Sequence, residues 1–405
     1  MMKGYKVTDE NMCCLEIQYK LGETYRLKGE LKLFQNGFHF YKKLIAIDDY
    51  YFLKSNSRIF EIEAIGTVKT RMLDSCTDKI KFIRELSKAE ISKMIEVYAK
   101  DRDTNIREML AKSKFTSVET LEILSEDESS DVRYEVVENP NINLKILEKL
   151  SRDKESRIRE MVAQNKNASK EILERLSRDE NNIVRVKVAR NRQVCEEILT
   201  YLSQDEDCHV RCEVAENLNT NTDLLSILSE DTHRFVREGV AGNHHTSAEI
   251  LESLIQEDCE VKCKIAKNPN ADINLLRILS KNTNVYVRCS VAKNINAPAN
   301  ILKELSQDKE FIVTLNVAGN QNTDKDVLKI LSQNKNFEVR CRVAGNLNTT
   351  EGTLEILSRN KSSTVRLNVA MNPNTNVKAL NVLSNDPKEY VRIAATRNLN
   401  NKNNL

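Results

Sequence analysis

A Val-Arg or Ile-Arg pair returns at a fixed interval through the last three quarters of the chain, and no other feature limits the available folds so strongly. Its second residue falls at Arg107, Arg133, Arg159, Arg185, Arg211, Arg237, Lys262, Arg288, Thr314, Arg340, Arg366 and Arg392: twelve copies, separated by ten intervals of 26 residues and one of 25. A constant period over such a length marks a repeat array. One supersecondary unit cannot bury its own apolar face and stacks on the next copy to do so.

Leucines stand 14 and 17 residues after that position in every complete copy, from Leu121 and Leu124 through Leu380 and Leu383. A spacing of three places both on one helical face. The residue before the arginine is Ile or Val in all twelve copies, and a mostly aliphatic position followed by a mostly Ala position, such as Val214 and Ala215, completes a second, shorter apolar stripe. Each unit is predicted to be a short helix around Val-Arg-x-x-Val-Ala, a turn, a helix around Leu-x-x-Leu-Ser, and another turn. Small Ala allows the helices to approach closely. The expected fold is mainly α: an α-solenoid of about twelve 26-residue two-helix repeats over residues 101–405.

The turns carry their own pattern. Asn stands six residues after the arginine at Asn139, Asn165, Asn191, Asn217, Asn243, Asn268, Asn294, Asn320, Asn346, Asn372 and Asn398, with Ser113 the exception. There it is expected to close the first helix in the left-handed conformation that Asn tolerates. A second Asn follows two residues later in nine copies, often trailed by Thr as in Asn219-Thr220, Asn322-Thr323 and Asn348-Thr349, a pair suited to a turn and to capping the next helix. Asp or Asn occupies the sixth place before most arginines, as Asp127 before Arg133 and Asp205 before Arg211, where it is expected to cap the following helix.

Two roles compete for Arg133, Arg159, Arg185, Arg211, Arg237, Arg288, Arg340 and Arg366. They could form a positive stripe for phosphate, or a ladder in which each guanidinium bonds the Asp or Asn of its own or an adjacent turn. The recurring Asp/Asn partner favours the ladder. So does the balance of 62 basic against 60 acidic residues, a net +2 where a nucleic-acid groove shows a surplus of base. Nucleic-acid binding by the arginines is kept as an alternative that predicts steep salt dependence.

The pattern Val-Arg-x-x-Val-Ala-x-Asn-x-Asn-Thr, then Leu-x-x-Leu-Ser-x-Asp, resembles the leucine-rich repeat variant, a HEAT-like bacterial repeat, over residues 101–400. The resemblance implies a right-handed superhelix of paired helices, one α and the other 3₁₀ in character, and it implies no enzymatic activity. An iron-sulfur cluster on cysteines ahead of the repeats, known in that family, would need four thiolates. Only Cys13, Cys14 and Cys76 precede the array, so no cofactor is expected.

Thirteen of the 21 aromatic residues lie in the first hundred positions, which implies a separate domain. Lys3–Val7, Glu30–Phe34 and Arg58–Ile65 read as strands, with Gly37-Phe38-His39-Phe40 after a polar turn, giving a small α/β domain at 1–77. Residues 78–100 read as a helical capping repeat, with Ile95, Tyr98 and Asp101 on the repeat register. The first eighty residues resemble a small uncharacterised domain found ahead of repeat arrays in bacterial and phage proteins, through Lys3-Gly4-Tyr5-Lys6, Gln18-Tyr19-x-x-Gly22-x-x-Tyr25, Gly37-Phe38-His39 and the strand ending at Gly66. Cys13 matches a cysteine of that pattern, whereas Phe34 and Tyr41 stand where cysteines are frequent. Tyr5, His39 and Tyr50-Tyr51 also resemble the groups that hold nicotinamide dinucleotide in minimal ADP-ribosyltransferase folds. Tyr5 and His39 are therefore the weak catalytic candidates, with no convincing glutamate motif after them; Glu61 and Glu63 alternate on a strand.

Four of the ten cysteines, Cys212, Cys263, Cys289 and Cys341, share one repeat position that Val186, Leu315, Leu367 and Ile393 occupy elsewhere, so they read as small hydrophobes. The pairs Cys208/Cys212 and Cys259/Cys263 belong to copies a whole repeat apart, and no metal site is expected from them. Nothing spans a bilayer and Met1–Glu10 lacks a secretory core, so a cytoplasmic location without membrane association is expected. The carboxyl-terminal half copy leaves one helix less covered, which raises end-to-end self-association. The leading functional expectation is a non-enzymatic scaffold for a protein partner, with specificity in copy-specific residues such as Tyr134, Glu213 and Arg342. The alternative is an ADP-ribosyltransferase-like amino-terminal enzyme targeted by the solenoid.

Overall fold

The computed structural model describes residues 1–14, 17–33, 35–47, 57–71 and 74–403. The chain forms two compact units, 1–194 and 195–405, so the helical array is shared between them.

The first unit opens with nine strands: β1 (Met2–Thr8), β2 (Cys13–Cys14), β3 (Ile17–Gln18), β4 (Thr24–Arg26), β5 (Phe38–Tyr41), β6 (Arg58–Ala64), β7 (Val68–Arg71), β8 (Asp74–Thr77) and β9 (Lys79–Glu85). Seven of them form one antiparallel sheet in the order β4-β9-β6-β1-β5-β8-β7, and β2 with β3 forms a separate ribbon. Alternation decides which face is buried. Phe38 and Phe40, Phe60 and Ile62, Ile80 and Phe82 point one way and enclose Tyr19, whose ring stacks on Phe82 at 4.4 Å. At Gly4 a Cβ would lie 2.3 Å from the Phe40 ring, so this strand tolerates no side chain there.

Two expectations shift here. Within 1–77 the described residues hold strands, the 3₁₀ turn Leu44–Ala46 and a helical residue at Ile47. Glu30–Phe34 is not a strand: it contributes a single bridge, Lys32 to Asn36, and Phe34 lies outside the described residues. The helical cap starts ten residues later than position 78, because Lys79–Glu85 alternates with period two, inserts Ile80 and Phe82 into the aromatic core and pairs with both β4 and β6. Helix begins at Lys88–Ile95, where Ser87 and Glu90 form a capping box, and continues as a 3₁₀ turn, Glu96–Lys100.

From Thr104 onward the repeats follow the expected plan. The first helix of each copy, A, has nine residues from Thr104–Lys112 to Ser363–Met371 and fifteen in the last, Glu389–Asn403. The second, B, runs from Val118–Leu124 to Val377–Leu383. Both are α. Among the described residues of the array, the 3₁₀ character that the family resemblance implied for one of them occurs only at Leu254–Gln256, in the 25-residue copy. The paired leucines and the Val before each arginine are buried throughout, Leu276 and Val287 completely. At roughly 2 kcal/mol per fully buried side chain they are the main stabilising term.

Where a rung is complete, the ladder joins one repeat to the next. In the first unit Arg107, Arg133 and Arg159 each donate Nε at 2.6 Å to one carboxylate oxygen of Asp127, Asp153 and Asp179, twenty residues ahead, and Nη2 to the other. Nη1 donates backward to the carbonyl six residues earlier, such as Asp101 O at 2.8 Å, and Arg185 does the same with Asp179 O at 2.9 Å. In the second unit Arg211–Asp231, Arg237–Glu257, Arg288–Asp308 and Arg366–Asp386 repeat the bidentate geometry. The Asp therefore does not cap the next helix. Its Oδ1 accepts the N–H two residues on, as Asp127 does from Ser129 at 2.9 Å. The cap is that later residue: Ser129 accepts from Asp131 N, Asn181 from Ile183 N and Asp207 from His209 N.

A second ladder is built from Asn. Except for Asn398, which lies inside the longer last helix and closes nothing, each leaves the A helix in extended rather than left-handed conformation, Asn139 at φ −67° and ψ 130°. Its Nδ2 is then free to reach the preceding repeat. Asn294 donates to Ala266 O at 2.8 Å and Asn268 O at 3.0 Å, and Asn139, Asn191, Asn243, Asn268, Asn320, Asn346 and Asn372 make the equivalent pairs. Asn165 donates to Val137 O, while Asn217 Oδ1 accepts Asn219 N, the turn contact that accompanies each of these amides. The following Thr does not cap the B helix either. Thr220 donates back to Val214 O of its own A helix, and Asn221 caps.

Candidate interaction surface

Both ladders consume the repeated polar groups, so a binding surface has to come from side chains that point away from them. On the B helix the residue one place before the second leucine lies off the apolar face shared by the two leucines. In the second unit that position holds Tyr201, Ile227, Ile278, Ile330, Ile356 and Val382, between 48% and 67% exposed, with Ser253 and Glu304 interrupting. In the first unit it holds Ile123, Lys149 and Arg175. Most large apolar side chains that are exposed lie in 195–405. They include Tyr286, Phe311 and Phe337 at the A-helix starts and Leu218, Ile295 and Leu347 in the A–B turns. A soluble surface leaves single apolar residues exposed; recurrence at one position of successive layers creates a stripe.

Sequence reasoning missed this stripe because Leu-x-Ile-Leu reads as one apolar run. The signal was available: an Ile between leucines spaced by three cannot share their face. Of the copy-specific residues named from sequence, Arg342 is exposed, Tyr134 and Glu213 are half-buried, and Arg157 lies over the Tyr134 ring at 4.3 Å.

Two concavities adjoin the array. One of about 420 Å³ lies beside the last helix, between Ala370, Met371 and Pro373 on one side and Tyr390, Ile393 and Arg397 on the other. The other, about 460 Å³, lies where Arg58, Glu85 and Lys88 meet Lys114 and Phe115. At its edge Arg58 holds Glu85 at 2.9 and 2.6 Å.

In the sheet, Tyr5 pairs with Tyr41 and Glu61, and His39 lies two residues from Tyr41, so Tyr5, His39 and Glu61 share the face opposite the aromatic core. Burial, then Glu61, raises the Tyr5 hydroxyl pKa; burial, then Lys6, lowers that of His39. Glu61 is taken by Lys3 at 3.2 Å and Arg84 at 2.9 Å. Tyr50-Tyr51 lies outside the described residues. The unforeseen group is Lys6, which alternates onto the core face, is 3% exposed and donates Nζ to His39 O at 2.8 Å. Burial pulls its ammonium pKa down.

All ten cysteines are free thiols, and burial raises the pKa of Cys212, Cys289 and Cys341, Cys212 to about 12. Among the described residues one trio, Asp207, Cys208 and His209, brings potential ligand atoms within 4.8 Å of one another. Asp207 already serves as a helix cap and meets His209 Nδ1 at 2.9 Å. No described helix is long and apolar enough to cross a membrane.

A family model described as a domain of unknown function, DUF7666, matches residues 2–94, the sheet and the helix after it. No curated protein matches the sequence. Similar solved structures include a leucine-rich repeat variant with a novel repetitive structural motif, at 23% identity, covering 57% of this chain and 86% of that chain with a TM-score of 0.38. An engineered protein is similar at 15% identity, 78% and 99% coverage and a TM-score of 0.30. Kap121p bound to Pho4p is similar at 11% identity, with 77% of this chain and 46% of that one covered and a TM-score of 0.35.

Proposed function

We propose that the chain is a non-enzymatic protein-binding scaffold whose contact face is the outward side of the B helices in the second unit. The observation that carries this reading is the stripe of exposed aliphatic side chains at one repeat position, which neither ladder nor core uses. Stacked helices present it as a surface wide enough for an extended partner, and the partner is a protein because the stripe is apolar. The amino-terminal sheet domain is a second module of the same chain. The test is affinity capture from the native cell with wild type and with an Ile227→Glu/Ile330→Glu/Ile356→Glu variant, both shown by circular dichroism to melt alike. Loss of a specific captured protein supports the scaffold; identical captured sets overturn it.

A further inference from the structure

The charge of the B-helix face inverts along the array. At the position one residue before the exposed stripe, the first unit carries Glu122, Glu148 and Glu174, each matched by a cation: Lys145 at 3.1 Å, Arg175 at 2.7 Å and Arg178 at 3.7 Å. The same position in three successive repeats of the second unit carries Arg277, Lys303 and Lys329. All three are exposed, and none makes an ion pair among the described residues. Glu355, one repeat further, is acidic again and again paired, with Lys378 at 2.8 Å. Ile278 and Ile330 stand beside Arg277 and Lys329.

Resting on the scaffold reading, we propose that this column binds an acidic, apolar peptide segment in polyproline II conformation. Stacked helices are on the order of 10 Å apart. A polyproline II segment rises about 3.1 Å per residue with three residues per turn, so every third side chain returns to one face after about 9 Å. Three carboxylates spaced by three residues therefore meet Arg277, Lys303 and Lys329, and apolar neighbours cover Ile278 and Ile330. A nucleic acid would offer the negative charge but not the apolar cover that exposed Ile278 and Ile330 call for.

The experiment uses the full chain and three probes: the peptide (Asp-Leu-Pro)₄, its basic counterpart (Lys-Leu-Pro)₄, and an oligothymidylate. The acidic peptide is expected to bind in preference to the basic one. An Arg277→Glu/Lys303→Glu/Lys329→Glu variant with an unchanged melting curve should weaken that binding by at least about tenfold, in a salt-sensitive way. The proposal is overturned by no binding of the acidic peptide at about 1 mM, by equal binding of the acidic and basic peptides, by an unaffected variant, or by oligothymidylate competing for the site. Native capture that survives the charge reversal but fails with the isoleucine variant keeps the scaffold and removes only this inference.

Discussion

The ladder contains one mismatched rung, and repairing it should stabilise the chain. The carboxylate of a rung is replaced by Asn at Asn282, Asn334 and Asn360. The facing position of the preceding repeat has lost its guanidinium in the first two cases, to Lys262 and Thr314, but not in the third, where Arg340 remains. Asn360 Oδ1 accepts the Ser362 N–H at 3.0 Å, as Asp127 does for Ser129. That leaves the amide N–H₂ on the side where complete rungs offer a second oxygen. Arg340 Nε is accordingly buried without a partner. In Asn360→Asp the donor gains a charged acceptor, the arrangement by which Arg366 meets Asp386 at 2.5 Å in the following rung. Relieving a buried unsatisfied donor is worth about 1–3 kcal/mol. Desolvating the new carboxylate offsets part of that, leaving about 1–2 kcal/mol. At about 2–4 °C per kcal/mol for a unit of this size, the melting temperature should rise by about 2–8 °C in calorimetry. Asn334→Asp, which faces Thr314 and gains no guanidinium, is the control and should give no increase. Equal melting of the two variants, or a decrease for Asn360→Asp, refutes the reasoning.

Asn294→Ala removes two bonds to buried carbonyls of the previous repeat and should cost about 2–4 kcal/mol, read from denaturant unfolding; an unchanged midpoint would show that water replaces the amide. Arg288 and Arg366 hold the carboxyls of Asp308 and Asp386 below the usual range. These groups bind fewer protons folded than unfolded, so their contribution is complete above the unfolded pKa near 4 and is lost as pH falls through the folded values. An acid titration of unfolding free energy should show the loss, and Asp308→Asn should flatten it. Lys6→Met should raise the melting temperature at pH 7, because a buried ammonium lacking a carboxylate is removed; in the wild type, where the folded pKa is depressed, stability should increase as pH rises toward the unfolded value near 10.4. If the end of the array self-associates through the cavity beside the last helix, Ile393→Glu should convert a concentration-dependent light-scattering mass into that of a monomer; a wild-type monomer at all concentrations excludes the contact.

The period determined the repeat plan and both helices of each copy, and the recurring Asp/Asn partner with the balanced charge pointed to a structural role for the arginines, because a position kept in ten of twelve copies serves what the copies share. It could not tell where each polar group points. The Asn of the A–B turn looks like a left-handed cap from its neighbours in sequence, yet its partners, such as Ala266 O for Asn294, lie in the previous repeat. The Asp reads as a cap of the next helix but serves the arginine twenty residues behind it. Strand β9 was hidden for a related reason: Lys79–Glu85 adjoins a helix and carries too few apolar residues to declare its period until β4 and β6 pair with it on either side. The exposed stripe and the inversion of charge at Arg277, Lys303 and Lys329 also belong to tertiary structure. Residues 26 apart become neighbours only when the repeats stack, and a column of like charge or like apolarity exists only across that stack.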